Sequence, residues 1–150
     1  MTVFALSTDN LNRSKVELDT LMSLIKNSFS KMIENEGFFQ KNGVQIKVLG
    51  DIKLLTEDVQ EVLNRAERLT EENKMVRLNL CICYNSKNEI FEAVDSLSQK
   101  YQRKELGEDI KVEDFEKELY GGFNCKPEIL IRTSNEIRLS NFLLYQTDES

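Results

Sequence analysis

Histidine is absent from this 150-residue sequence, which rules out the usual His-dependent serine and cysteine hydrolases and the commonest zinc sites. Basic residues are in the minority, 20 against 26 acidic, for a net charge of −6. No basic surface is therefore expected to neutralise nucleic-acid phosphates, and arginines gathered in one place stand out. No stretch approaches the ~18 consecutive apolar residues of a membrane span, so membrane association is expected to be peripheral or carried by a partner. Low-complexity tracts, internal repeats and linkers are missing as well. Cysteine is sparse and odd in number: Cys81, Cys83 and Cys125, with no secretory signal, imply a reducing compartment. Cys81 and Cys83 alternate within an apolar run, which predicts two buried packing groups on one side of a strand.

What is present is ordinary globular composition, 40% hydrophobic and 31% charged, at a length that suits a single domain over 1–150. Alternation and apolar runs predict strands at 3–6, 44–49, 76–83 and 128–131, each followed by a helical pattern. Leu18, Leu21, Met22, Ile25, Phe29, Met32 and Ile33 recur at helical spacing after Ser14-Lys15-Val16-Glu17, which reads as a capping box. Val59, Val62, Leu63, Ala66 and Leu69 form a second stripe entered at Thr56. Ser86-Lys87-Asn88-Glu89 reads as another capping box, opening a helix with Ile90, Phe91, Val94, Leu97 and Tyr101. A short helix over 112–120 is expected to stop at Gly121-Gly122, and the only proline, Pro127, precedes the fourth strand. Strand–helix alternation of this kind builds an α/β fold, a parallel sheet flanked by helices. The first strand starts almost at Met1 and the last helix runs into Thr147-Asp148-Glu149-Ser150, so the domain is expected to be partial, truncated at both ends.

Ligands of parallel α/β sheets bind beyond the carboxyl ends of the strands. Two polar clusters lie there: Ser7-Thr8-Asp9-Asn10 with Arg13, and Arg132-Thr133-Ser134 with Arg138 and Ser140. Guanidinium forks match phosphate oxygens, and hydroxyls with free amides complete an anion cradle. The same arginines also suit surface pairs with the 26 acids, worth roughly 0–1 kcal/mol each, and the hydroxyls suit ordinary helix caps. Asp9, Asp51 and Glu136 follow strands where magnesium takes a carboxylate or two, although Asp51 equally suits a loop cap, and no metal ligand is assigned.

The stretch "RTSNEIRLSNFLLYQ" resembles the signature R-T-S-G-E-x-R-L-S-N-F-L-L-W-Q of the cis-prenyltransferases, the undecaprenyl and dehydrodolichyl diphosphate synthases. "FALSTDNLNRSKVELDTLM" is similar to that family's F-A-F-S-x-E-N-x-x-R-x-x-x-E-V-x-x-L-M. "IKVLGD" is similar to I-R-x-I-G-D, and "LNLCICYNSKNEI" to L-N-x-x-x-x-Y-x-x-R-x-E-I. The order is preserved and nearly the whole chain is covered, with a leaning toward the fungal dehydrodolichyl type.

The resemblance implies condensation of isopentenyl diphosphate with an allylic, farnesyl-type diphosphate to a long Z-polyprenyl diphosphate, for dolichol synthesis and glycosylation. It implies that Arg132, Arg138 and Ser140 hold isopentenyl diphosphate. Asn10 and Arg13 would form the catalytic pair near the allylic diphosphate, and Leu21 and Leu24 would line a product tunnel. It further implies Mg²⁺ as cofactor and a homodimer or a heterodimer with a cis-prenyltransferase-like accessory subunit. The site of action would be the cytoplasmic face of the endoplasmic reticulum or lipid droplets, held peripherally, with no nucleic-acid partner.

Departures are as informative. The family's D-G-N-x-R-x-A loop, which carries the Mg²⁺ aspartate, and its closing strand with a second metal-associated glutamate are missing. Asn135 replaces the signature glycine, Asp9 a glutamate, Lys87 an arginine and Tyr145 the tryptophan. The chain alone is thus expected to be inactive and to bind the isopentenyl diphosphate half-site at best. The competing expectation is a non-catalytic family member serving as an interaction subunit, or a gene fragment.

Overall fold

A computed structural model describes residues 1–34, 38–120 and 127–148, in two compact units, Met1–Tyr84 and Asn85–Ser150. In the first unit, β1 (Thr2–Ser7), β2 (Val44–Leu49) and β3 (Val76–Tyr84) make a parallel sheet in the order β1-β3-β2. The most apolar run, "LNLCICY", becomes the central strand because only a central strand is covered on both faces. Residues 79–84 are accordingly all buried, Cys81 and Cys83 among them, as the alternation predicts.

Helix α1 (Lys15–Glu34) begins at the predicted capping box: the Ser14 amide donates to Glu17 Oε2 (3.2 Å) and the Glu17 amide to Ser14 Oγ (3.4 Å). It lays Leu21, Met22, Ile25, Phe29 and Ile33 against a core of Leu6, Ile46, Val59, Leu63 and Ile82. A short turn of helix, α2 (Phe38–Lys41), leads into β2, and α3 (Glu57–Thr70) buries Val59, Leu63, Ala66 and Thr70. Leu69, expected in that stripe, is exposed; Thr70 takes the buried place beside it. The outer edge of β2 is closed by side chains instead of a strand. Thr70 Oγ1 accepts from the Ile46 amide (3.0 Å), Glu67 Oε1 from the Val48 amide (2.9 Å), and Asn73 Nδ2 donates to the Val44 carbonyl (2.8 Å). Such capping leaves no row of free amides to recruit another chain.

The second unit holds α4 (Ser86–Gln102), α5 (Val112–Glu118) and an irregular segment from Pro127 onward. Three expectations need correction here. The fourth strand does not form: residues 128–131 join no ladder, and Ile129 and Ile131 are 77% and 80% exposed. Apolar content suits a strand, but only a neighbouring strand's amides and carbonyls make one. The helix after it is a series of turns, because Ser140, Asn141 and Leu143 have left-handed φ of 52°, 60° and 44°, which a right-handed helix cannot propagate. The second capping box is also not made. Asn85 is the cap, its side chain accepting from the Lys87 amide at 2.9 Å, while Ser86 and Glu89 are buried and bonded elsewhere. Cys125 and the Gly121-Gly122 stop lie outside the described residues.

Candidate functional site

The two polar clusters fall in different units, and each is a local structure of its own. Beyond β1 the chain turns through a 3₁₀ helix, Thr8–Asn12. Asn10 Oδ1 accepts from the Ser7 amide (3.0 Å) and Ser7 Oγ from the Asp9 amide (3.1 Å), so the reciprocal cap fixes the Asn10 side chain. Arg13 follows in extended backbone, its amide donating to the Asn10 carbonyl at 3.2 Å. Its guanidinium is exposed and forms no ion pair among the described residues. Nearby, Ser14's hydroxyl and then its amide hold the Glu17 carboxyl below the usual range, with the charge of Arg13 adding to them. This cluster presents a fixed amide and an exposed cation at a strand's carboxyl end.

In the second unit, Arg132, Arg138 and Ser140 come together. Arg132 Nη1 donates to Ser140 Oγ at 3.1 Å and also to the Arg138 carbonyl. Arg138 pairs with Glu136, and both arginines are exposed. The turn between them runs through Ser134 and Asn135 at φ 66° and 53°. Asn135 thus holds the left-handed geometry for which the related signature uses glycine, and asparagine is among the few residues that tolerate it. The result is a solvent-facing hairpin of chain with two guanidinium groups and a hydroxyl. An anion there would compete with Glu136 for Arg138, against an exposed pair worth roughly 0–1 kcal/mol.

The hairpin's continuation is clasped by α4. Ser86 donates its amide to the Asn141 carbonyl (2.9 Å), and its Oγ accepts from the Leu144 amide (3.1 Å). Glu89 accepts from the Tyr120 amide through Oε1 (3.0 Å) and from Gln146 Nε2 through Oε2 (3.2 Å). Tyr145 donates to Glu116 (2.9 Å) and meets the Phe115 ring edge-on. Sequence reasoning gave Ser86 and Glu89 to a helix cap and missed these contacts, because their partners lie 31 to 58 residues away.

Of the expected tunnel pair, Leu21 is half-buried against the core and Leu24 is 57% exposed. The cleft between α1 and α3 is lined by Asp19, Met22, Ser23, Lys26, Asn27, Thr56, Asp58 and Val59, not by either leucine. The strand-following carboxylates are otherwise engaged: Asp51 caps the turn Ile52–Leu54 through the Lys53 amide, and Glu136 pairs with Arg138. Among the described residues no group of three or more His, Cys, Asp or Glu side chains is arranged to hold a metal. Asp9 alone does not make a Mg²⁺ site, so the described residues do not fit one. No helix among the described residues is long and apolar enough to cross a membrane.

Residues 1–150 match the family model described as "Putative undecaprenyl diphosphate synthase". The chain is 42% identical over 151 residues to the human dehydrodolichyl diphosphate synthase complex subunit DHDDS, covering 100% of this chain and 45% of that protein. It is 37% identical to a geranylgeranyl-diphosphate-specific tritrans,polycis-undecaprenyl-diphosphate synthase of Thermococcus kodakarensis, over 97% of this chain and 55% of the other. Among solved structures, lavandulyl diphosphate synthase from Lavandula x intermedia, in complex with dimethylallyl diphosphate, superposes with a TM-score of 0.88 at 33% identity. That match covers 97% of this chain and 62% of the other. The chain thus spans about half the length of the curated relatives it matches.

Proposed function

We propose that this chain, which belongs to the undecaprenyl diphosphate synthase family of prenyltransferases, carries the isopentenyl diphosphate seat of a cis-prenyltransferase. The carrying observation is that Arg132, Arg138 and Ser140 share one exposed hairpin, in which Arg132 bonds Ser140 Oγ at 3.1 Å and the Arg138 carbonyl. Two guanidinium forks and a hydroxyl match the oxygens of one diphosphate. In the reaction, the terminal alkene of isopentenyl diphosphate attacks the allylic carbon, a carbon–carbon bond forms, the allylic diphosphate leaves and a proton is lost. This chain's part is to hold the nucleophile by its diphosphate, which removes the entropic cost of bringing two reactants into register. Asn10 and Arg13 supply an amide and a cation on the allylic side, where charge develops on the leaving group. Leu21 and Leu24 are proposed to face the growing chain in the whole protein. Mg²⁺ would need its main carboxylate from the D-G-N-x-R-x-A motif, which this sequence lacks, so no step is assigned to it here.

The dolichol pathway and a peripheral place on the endoplasmic reticulum or lipid droplets are the corresponding whole-protein reading, supported by the likeness to the dehydrodolichyl diphosphate synthase complex subunits. A second reading, an interaction subunit, draws on one observation. Phe91, Val94 and Tyr101, 74%, 53% and 48% exposed, recur on one face of α4, an apolar stripe suited to a homologous partner. The test of the seat is calorimetric titration of the 150-residue chain with isopentenyl diphosphate. Binding that Arg132→Ala abolishes supports the assignment, and equal binding by parent and variant sinks it. Labelled isopentenyl diphosphate, a farnesyl primer and Mg²⁺ should give no long-chain product with this chain alone; product formation would overturn the half-site limit.

A further inference from the structure

We propose that Ser86 and Glu89 are positioning residues for the arginine hairpin, acting through the turn that follows it; this rests on the seat reading above. The hairpin itself is exposed and irregular, with five left-handed non-glycine residues between Ser134 and Leu143. Asn135 and Asn141 tolerate that region, but Ser134, Ser140 and Leu143 are disfavoured there by Cβ contacts, so the geometry needs support from outside the hairpin. What holds it is buried: Ser86 (0% exposed) and Glu89 (1%) on α4 meet the turn, whose Gln146 is itself 2% exposed.

Ser86 grips the turn at two points, the Asn141 carbonyl (2.9 Å) and the Leu144 amide (3.1 Å), directly after Ser140. Glu89 fixes the turn's far end through Gln146 Nε2 (3.2 Å) and ties the Tyr120 amide (3.0 Å) to the same carboxylate. Gln146 Oε1 is buried with no hydrogen-bond partner among the described residues, so Glu89 is the hydrogen-bonded contact of this side chain there. The chain of contact then reads from α4 to the turn, from the turn to Ser140, and from Ser140 Oγ to Arg132 (3.1 Å). Losing either grip leaves Arg132 and Ser140 present but no longer held against each other. A site that is loose by an ångström binds weakly even when every first-contact residue is intact.

The experiment is titration of the full 150-residue chain with isopentenyl diphosphate, and with inorganic diphosphate as a second probe, at a temperature below every variant's unfolding transition. Ser86→Ala removes one neutral acceptor and is expected to weaken both affinities roughly tenfold, one hydrogen bond's worth, with helix content unchanged. The Leu144 amide should exchange faster with solvent in this variant and recover protection when isopentenyl diphosphate is bound. Glu89→Gln keeps a donor–acceptor pair once the Gln146 amide turns over to present its Oε1, and exchanges a charged acceptor for a neutral one, so it is expected to weaken binding less than Ser86→Ala does.

Thr70→Val, which breaks a buried hydrogen bond in the other unit, separates positioning from general loss of stability, because it should leave affinity unchanged. Parental affinity in Ser86→Ala, or an equal loss in Thr70→Val, overturns the proposal while leaving the seat intact. Unchanged binding by Arg132→Ala overturns the seat and the positioning with it. Should Glu89→Gln fail to fold, Ser86→Ala alone decides.

Discussion

Gly50→Ala is the substitution whose effect the structure determines most sharply. Gly50 closes β2 in "IKVLGD" with φ +125°, outside the range an L-residue adopts without strain. An added Cβ would lie 2.2 Å from the Ile82 carbonyl oxygen and 3.0 Å from the carbonyl carbon and oxygen of Cys83. All three are backbone atoms of the buried central strand, so no side chain can swing aside. Relief requires pulling the end of β2 away from β3, which also stretches the Asp51 amide's 3.3 Å bond to the Cys83 carbonyl. Backbone strain of about 1–3 kcal/mol adds to a similar overpacking cost, for a total of roughly 2–6 kcal/mol. That is a large share of the ~5–15 kcal/mol that holds a domain folded. For a chain of this size the transition should fall by about 10 °C. Thermal and urea unfolding followed by far-ultraviolet circular dichroism measures it. Gly107→Ala is the matched control, because a Cβ there meets nothing within 4 Å, and it should be neutral. A melting temperature for Gly50→Ala within about 2 °C of the parent would refute the close-approach argument.

Other consequences can be checked in the same preparation. Thr70→Val keeps the shape but leaves the Ile46 amide unpaired in the buried edge of β2, and should cost about 1–3 kcal/mol in urea unfolding. Burial, and secondarily the charge of Asp51, pushes the Cys83 thiol up to about 11; peptide mapping after iodoacetamide treatment at pH 8 should show Cys83 unmodified until the chain is unfolded. Lys26 hydrogen-bonds Asp58 at 2.7 Å and, with Thr56, holds its carboxyl at about 2. The folded value lies below the unfolded one, so this contribution is complete above pH ~4 and disappears as pH falls through about 2. Lys26→Gln should move the Asp58 carboxyl titration, followed by nuclear magnetic resonance, up toward the ordinary range.

Most of what is local or repeats at short range was legible in the sequence. The three strands of the first unit, the Ser14–Glu17 box, the α1 and α3 stripes apart from Met32 and Leu69, and the burial of Cys81 and Cys83 follow from spacing, whereas Phe91, Val94 and Tyr101 of the expected α4 stripe are exposed. The residue-specific signature around Arg132 was likewise legible. Tertiary structure decided what depends on partners distant in sequence. The apolar run at 128–131 joins no ladder, and three left-handed residues, Ser140, Asn141 and Leu143, turned an expected helix into a clasped turn. Ser86 and Glu89 looked like a cap and became the grip on the arginine hairpin, since a buried carboxylate or hydroxyl bonds whatever donor the fold brings to it. Spacing along a chain encodes period and propensity, but which donor meets which acceptor across 57 residues is settled only when the elements pack.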